Sequence, residues 1–252
     1  MRRFFLWYLP LATALTATVI FGAGFYSFLR GDTGQPVAPV TGPIRASAPA
    51  AKIAPLLLGD SLARGQGDDT GLGIGGRLVD DLKKAHVQVQ PSVNLAVNGA
   101  ITKDLEAQLE SRSVQTLIAQ SNVIVISIGG NDLWGGAEGL RRGPTKNPEK
   151  VMNVTLDSLD RIVKKVRTAN PRARIFIVGL YNPFVNAPFG TLLSVLVNKW
   201  NGMEFDGFAA DTNVTIVETS DLFSHRARLS LDNFHPNDEG YELIARRIAE
   251  SL

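Results

Sequence analysis

Few residues in this chain can do covalent chemistry. It has no cysteine and three histidines, His86, His225 and His235, set far apart. The missing cysteines exclude disulfides, cysteine-based zinc sites and a cysteine nucleophile. The scattered histidines give no His-rich metal cluster, and no metal or cofactor is expected. Serine is then the obvious nucleophile, and it attacks a carbonyl only if a base takes its proton and a third group fixes that base's tautomer. Ser61 follows Gly59-Asp60 where a sharp turn could present a hydroxyl. His235 stands three residues after Asp232, so one loop holds a base that titrates near neutrality and a carboxylate to orient it. Such a set suits acyl transfer. The oxyanion of a tetrahedral intermediate needs donors, each worth roughly 3–4 kcal/mol where measured. The backbone N–H groups of Ser61 and Gly99 and the side-chain amide of Asn131 are the candidates.

These residues need a frame. From 53 to 252 short apolar runs alternate with longer amphipathic stretches. Residues Ile53–Leu58, Val87–Leu95, Val123–Ile128, Arg174–Leu180 and Val214–Glu218 are expected as strands, four of them apolar almost throughout, as strands covered on both faces are. Residues Gly75–Ala85, Thr102–Ala119, Pro148–Asn170 and Leu192–Ala210 show helical spacing, and Asp238–Leu252 opens a last helix after the cap residue Asn237. The alternation predicts an α/β fold, a three-layer α/β/α sandwich around a mostly parallel five-stranded sheet. In such sheets the chemistry lies beyond the carboxyl ends of the strands. There the sequence places Gly59-Asp60-Ser61-Leu62, Asn98-Gly99 and Gly129-Gly130-Asn131-Asp132, and on the same rim a loop reading Asp232-Asn233-Phe234-His235-Pro236.

Four blocks, GDSL at 59–62, NLAVNG at 94–99, GGND at 129–132 and DNFH at 232–235, resemble in order those of the SGNH (GDSL) hydrolase family. The resemblance covers essentially all of 53–252 and implies an SGNH/flavodoxin-like fold. It also implies that Ser61 is the nucleophile, that Gly99 and Asn131 complete the oxyanion hole with Ser61, and that Asp232 and His235 finish the triad. The stretches GDSLARGQGDD, GLYNPF, VNKWN and DNFHPNDEGYELIA are similar to an exported bacterial lipase/acylhydrolase-like subgroup. Family activities span lipase, lysophospholipase, thioesterase and carbohydrate esterase, so the expected reaction is ester hydrolysis through an acyl-enzyme on a lipid, lysophospholipid or acylated glycan. Singly, each block has a plainer reading. Gly-Asp-Ser is a common turn, Asp60 reads as a capping residue, Gly99 can serve a turn, Asn131 can end a strand, and His235-Pro236 can lead into a helix. The alternative from another class is a catalytically silent SGNH-fold module that binds the cell envelope; the complete set Ser61, Asp232 and His235 argues against it.

Other patterns are weaker. Gly71-Leu72-Gly73-Ile74-Gly75-Gly76 fits G-x-G-x-x-G, but a dinucleotide site requires the first glycine to end a strand directly, and a dozen residues intervene after Leu58. Asn131 is followed by Asp132 rather than histidine, against a metallophosphoesterase, and no G-x-S-x-G elbow marks an α/β-hydrolase. Residues Tyr181–Leu193, with Phe184 and Phe189, would either line an acyl site or cover the core. Arg141, Arg142, Lys146 and Lys150 would attract an anionic headgroup or form a solvated loop. His86 reads as a surface residue. His225 is an inferior base because no Asp-x-x-His pattern accompanies it.

The net charge of +2 averages two segments. Residues 1–30 hold three arginines and no acid; removing these from the 26 basic residues leaves 23 against 24 acidic ones. A near-neutral domain gives no broad footprint for nucleic acid. Residues 4–29 are uncharged and mostly apolar, long enough to cross a ~30 Å hydrocarbon core. Arg2 and Arg3 predict a signal anchor over 1–30 with the catalytic domain extracytoplasmic; secretion after cleavage near Gly22-Ala23-Gly24 is the alternative. Residues 31–52, with four prolines, read as an extended linker. Oligomeric state leaves no mark in the sequence.

Overall fold

The computed structural model describes residues 2–29, 52–135, 139, 147–224 and 226–252. The expected linker, apart from Lys52, lies outside these residues, as do Arg141, Arg142, Lys146 and His225. The chain divides between Ser47 and Ala48 into two units.

The described part of the first unit is one helix, α1 (Arg2–Leu29). Leu11, Leu15, Val19, Ile20 and Phe21 on it are all exposed. Among the described residues no helix is long and apolar enough to cross a membrane.

In the second unit every strand is parallel to its neighbours, in the order β2-β1-β3-β4-β5. The strands are β1 (Pro55–Gly59), β2 (Val93–Asn94), β3 (Val123–Ser127), β4 (Arg174–Val178) and β5 (Val214–Val217). Successive side chains of a strand point to opposite faces. Leu56, Ile124 and Ile175 therefore enter one core, and Leu57, Val125 and Phe176 the other. The first core is closed by α4 (Thr102–Gln108), α5 (Arg112–Gln120), α7 (Pro148–Ala169) and α8 (Gly190–Phe208). The second is closed by α3 (Gly73–Lys84) and α9 (Asp238–Glu250). This is the expected three-layer sandwich.

Three details differ from expectation. The long strand over 87–95 shrinks to two residues plus a bridge from Ile53 to Val89, because Pro91 has no N–H for the ladder and the strand lies on the sheet's edge. The single helix over 102–119 is two, since Ser111 is extended (ψ 127°). The break lets Leu105 and Leu109 of one segment, and Val114 and Ile118 of the other, enter the same core. Two short helices, α2 (Ser61–Arg64) and α6 (Gly130–Trp134), start at the carboxyl ends of β1 and β3. Strand order reverses between β1 and β3, so the crevice beyond these two ends is where such a sheet binds ligands.

Candidate active site

Gly59 ends β1 with φ +124°, and a Cβ there would lie 1.8 Å from the carbonyl oxygen of Ser127. Only glycine fits, and the turn it allows brings Ser61 to the first residue of α2. Asp60 caps this turn: its Oδ1 accepts from Leu62 N at 3.0 Å and from Ser127 Oγ at 3.1 Å. Burial pushes its carboxyl up to about 6, against the pull of those bonds.

Across the crevice, the loop before α9 is pinned by a bridge between Leu229 and Pro236 and by Ser230 N donating to His235 O at 2.8 Å. Asp232 is the hub of this loop. Its Oδ1 accepts from Ser230 Oγ, Phe234 N and His235 N at 2.7, 2.8 and 2.9 Å. Its Oδ2 lies 2.6 Å from His235 Nδ1, and His235 Nε2 lies 2.8 Å from Ser61 Oγ. Partial burial pushes Asp232 up, but the bonds from His235, Ser230 and the backbone outweigh it and hold it at about 2. The carboxylate is ionised at neutral pH, so Nδ1 carries the proton and Nε2 faces Ser61 as an acceptor. Ser61, His235 and Asp232, 174 residues apart in sequence at the extremes, form one hydrogen-bonded chain.

Asn131, on the first turn of α6, gives one amide proton to Ala100 O at 2.9 Å, which leaves the second available. It lines the same cavity as Ser61 and His235. Gly99, with φ +78°, lines an adjoining depression with Gly59, separate from the cavity that holds Ser61. A Cβ on Gly99 would meet nothing, so glycine serves there for the left-handed backbone alone. Among the described residues the N–H groups of Ser61 and Gly99 meet no acceptor. Asp132 ties this corner together, accepting from Thr102 N at 2.9 Å and Thr102 Oγ1 at 2.6 Å.

The other features singled out in the sequence lie away from this chain of bonds. The glycine-rich stretch enters α3, but Gly73 N donates to Asp68 Oδ2 at 2.6 Å. Asp68 also accepts from Arg77 Nη2 at 2.9 Å, so the chain's own carboxylate fills the place a pyrophosphate would need. Phe184 and Phe189 pack against the core, edge to face at 6.4 Å, and it is Leu180, Tyr181 and Pro183 before them that line the cavity. His86 is exposed, and Lys150 borders an open depression beyond Asn131. Sequence reasoning missed two supports. Tyr181 Oη donates to Phe234 O at 2.7 Å, joining the β4 loop to the loop of His235. Asn201, buried on α8, accepts from Leu180 N and donates to Leu180 O, both at 2.9 Å. Both lie in blocks the resemblance singled out, GLYNPF and VNKWN, yet only the fold shows what they hold.

The arrangement can take a proton from a serine and offer donors to an oxyanion. A model of the GDSL-like lipase/acylhydrolase family matches residues 57–243. The chain belongs to that family. As a GDSL-like lipase/acylhydrolase it is a serine ester hydrolase. It is 30% identical to the uncharacterized protein YpmR of Bacillus subtilis over 208 residues, 77% of this chain and 79% of that one. It is 25% identical to the spore germination lipase LipC of Bacillus licheniformis over 214 residues, 76% of this chain and 92% of that one. In fold this GDSL-like chain is similar to the lipase Lip_vut3 from a goat rumen metagenome (TM-score 0.66, 21% identity, 79% and 97% of the two chains). It is likewise similar to an acetyl-xylooligosaccharide esterase from Geobacillus (TM-score 0.58, 20% identity, 79% and 93%).

Proposed function

We propose that Ser61 is the nucleophile of this hydrolase, His235 its general base and acid, and Asp232 the group that fixes the imidazole. Ser61 Oγ attacks the ester carbonyl as its proton passes to His235 Nε2. The oxyanion is met by the N–H of Ser61 and the free amide proton of Asn131, with the Gly99 N–H as the third donor. His235 returns the proton to the departing alkoxide as the C–O bond breaks, leaving an acyl-Ser61 ester and a free alcohol. Water then attacks the acyl group, again giving its proton to Nε2, and releases the carboxylic acid and Ser61. The observation that carries this reading is the continuous chain Asp232 Oδ2–His235 Nδ1 and His235 Nε2–Ser61 Oγ at 2.6 and 2.8 Å, opening on a cavity that Asn131 also lines. A fluorophosphonate should label the protein stoichiometrically, and Ser61→Ala should abolish both labelling and p-nitrophenyl acetate turnover. A folded wild-type protein that neither labels nor turns over would overturn the assignment.

We also infer that the domain acts outside the cytoplasmic membrane, on a carboxylic ester of a lipid or glycan. What supports this is the uncharged, mostly apolar stretch 4–29 after Arg2 and Arg3, with exposed apolar side chains on α1. Residues 4–29 hold the domain at the membrane.

A further inference from the structure

Cleavage at Ser61 requires the acyl part and the alcohol part of the ester to lie on different sides of the oxyanion donors, and the two sides of Asn131 differ greatly in room. On one side is the cavity that holds Ser61 Oγ and His235, about 60 Å³. Its apolar walls are Leu62, Trp134, Leu180, Tyr181, Pro183 and Phe234. On the other side, past Asn131 and Asp132, an open depression of about 590 Å³ runs along Ile101, Lys150 and Val154.

The small side is held rigidly. Leu180 is fixed through both its N–H and its C=O by the buried Asn201 amide. The leucine side chain also lies close over Gly130, with Cδ2 3.4 Å from where a Cβ of that glycine would be. Phe234 stands edge-on to the His235 ring at 4.8 Å, and its carbonyl is tied to Tyr181 Oη. Trp134 is buried in the core. Trp134 cannot withdraw without opening the core, nor Tyr181 without losing its bond to Phe234 O, and the backbones that carry Leu180 and Phe234 are held in place.

An apolar cavity of about 150 Å³ holds a six-carbon ring, on the order of 25 Å³ per carbon, so this cavity takes about two to three carbons. The carbonyl carbon and oxygen lie at Ser61 and the oxyanion donors, so acetyl to butyryl groups place about one to three carbons in the cavity, on the order of what fits, and an octanoyl group about seven. We propose that the enzyme is selective for short acyl groups, acetyl to butyryl, with Leu180, held by Asn201, as the residue that sets the length limit. This rests on Ser61 as nucleophile: the short acyl group enters the small side, and the larger alcohol lies along the open depression. The substrate class is then a short-chain ester of a bulky alcohol.

The test is kcat/KM of the full-length protein for p-nitrophenyl acetate, butyrate, octanoate and palmitate, in wild type, Leu180→Ala and Leu180→Phe. Wild type is expected to peak at acetate or butyrate. One methylene too many in an apolar pocket is worth on the order of tenfold, so octanoate should fall at least that far below. Leu180→Ala should raise the octanoate-to-acetate ratio on the order of tenfold, and Leu180→Phe should lower the butyrate-to-acetate ratio. A wild-type maximum at octanoate or palmitate overturns the proposal, as do ratios that Leu180→Ala and Leu180→Phe both leave unchanged. Because the readout is a ratio, a partial loss of folding cancels. Fluorophosphonate labelling in parallel separates the two failures: labelled protein with the wrong chain-length profile refutes the length limit, and unlabelled folded protein refutes the role of Ser61.

Discussion

Asp60 stands next to Ser61, but its carboxylate is committed to the turn. It caps α2 through Leu62 N and takes a hydrogen bond from Ser127, while burial pushes it up to about 6. A carboxyl raised above its unfolded value of 3.8 favours the folded state most when protonated. Its contribution is therefore complete below about pH 3.8 and is lost as pH rises through about 6. A rise of about two units corresponds to roughly 3 kcal/mol, an order-of-magnitude figure. Asp60→Asn keeps an acceptor for Leu62 N and removes the charge. It should flatten the loss of stability between pH 4 and 6, read as the difference in urea midpoints between variant and wild type at each pH; parallel curves would refute this. Asp232 has the opposite sign, since it is held at about 2 and favours the fold only above its unfolded range. The two carboxylates of the site thus pull the pH dependence in opposite directions. The sequence identifies the types and order of these residues, but a buried carboxylate and a bonded one look the same in it.

Among the elements, α8 does two jobs at one end of the sheet. Its Asn201 holds Leu180, and the adjacent Trp200 packs against Gly129, with Cζ2 3.4 Å from the position a Cβ would take there. Gly129 needs its left-handed φ of +107° to start α6 and carry Asn131 into the crevice. On the same helix Glu204 is buried, and neither its carboxyl oxygens nor Trp200 Nε1 has a hydrogen-bond partner among the described residues. Burial drives Glu204 well above its ordinary value, against a weaker pull from the neighbouring Trp200 indole. A buried polar group without a partner costs about 1–3 kcal/mol. Glu204→Met, close in volume and apolar, should raise the unfolding free energy at pH 8 by on the order of 1 kcal/mol, read as a higher urea midpoint, and remove a decline in stability as pH rises. A fall in midpoint would show that the carboxyl is satisfied after all. The helical spacing of α8 is legible in the sequence, but which of its polar residues would be buried is not. Periodicity reports a stripe, and Asn201 and Glu204 fall on the buried stripe against their type.

At the scale of the whole molecule, a mostly apolar N-terminal helix and an α/β domain share a chain that divides between Ser47 and Ala48. If residues 4–29 hold the domain at a membrane, fractionation should recover the protein in the membrane pellet after alkaline carbonate washing. Removing residues 1–47 should release a soluble enzyme with unchanged turnover of short esters. Recovery of the full-length protein in the soluble fraction would refute anchoring and leave the esterase reading intact.

The sequence by itself determined the layer order, the parallel sheet and the four rim blocks, because apolar runs covered on both faces and turn residues after strands are local signals. It also brought Ser61, Asn131, Asp232 and His235 into view, since each lies in a short contiguous block. The length of β2 and the break between α4 and α5 were settled only in three dimensions, by an edge position and by a shared core. Tertiary structure also decided the room beside Ser61. That cavity is walled by residues from four separate segments, among them Leu62, Trp134, Leu180 and Phe234. A volume enclosed by parts distant in the chain has no local signal, so the reaction could be read from the blocks and the size of the acyl pocket only from the fold.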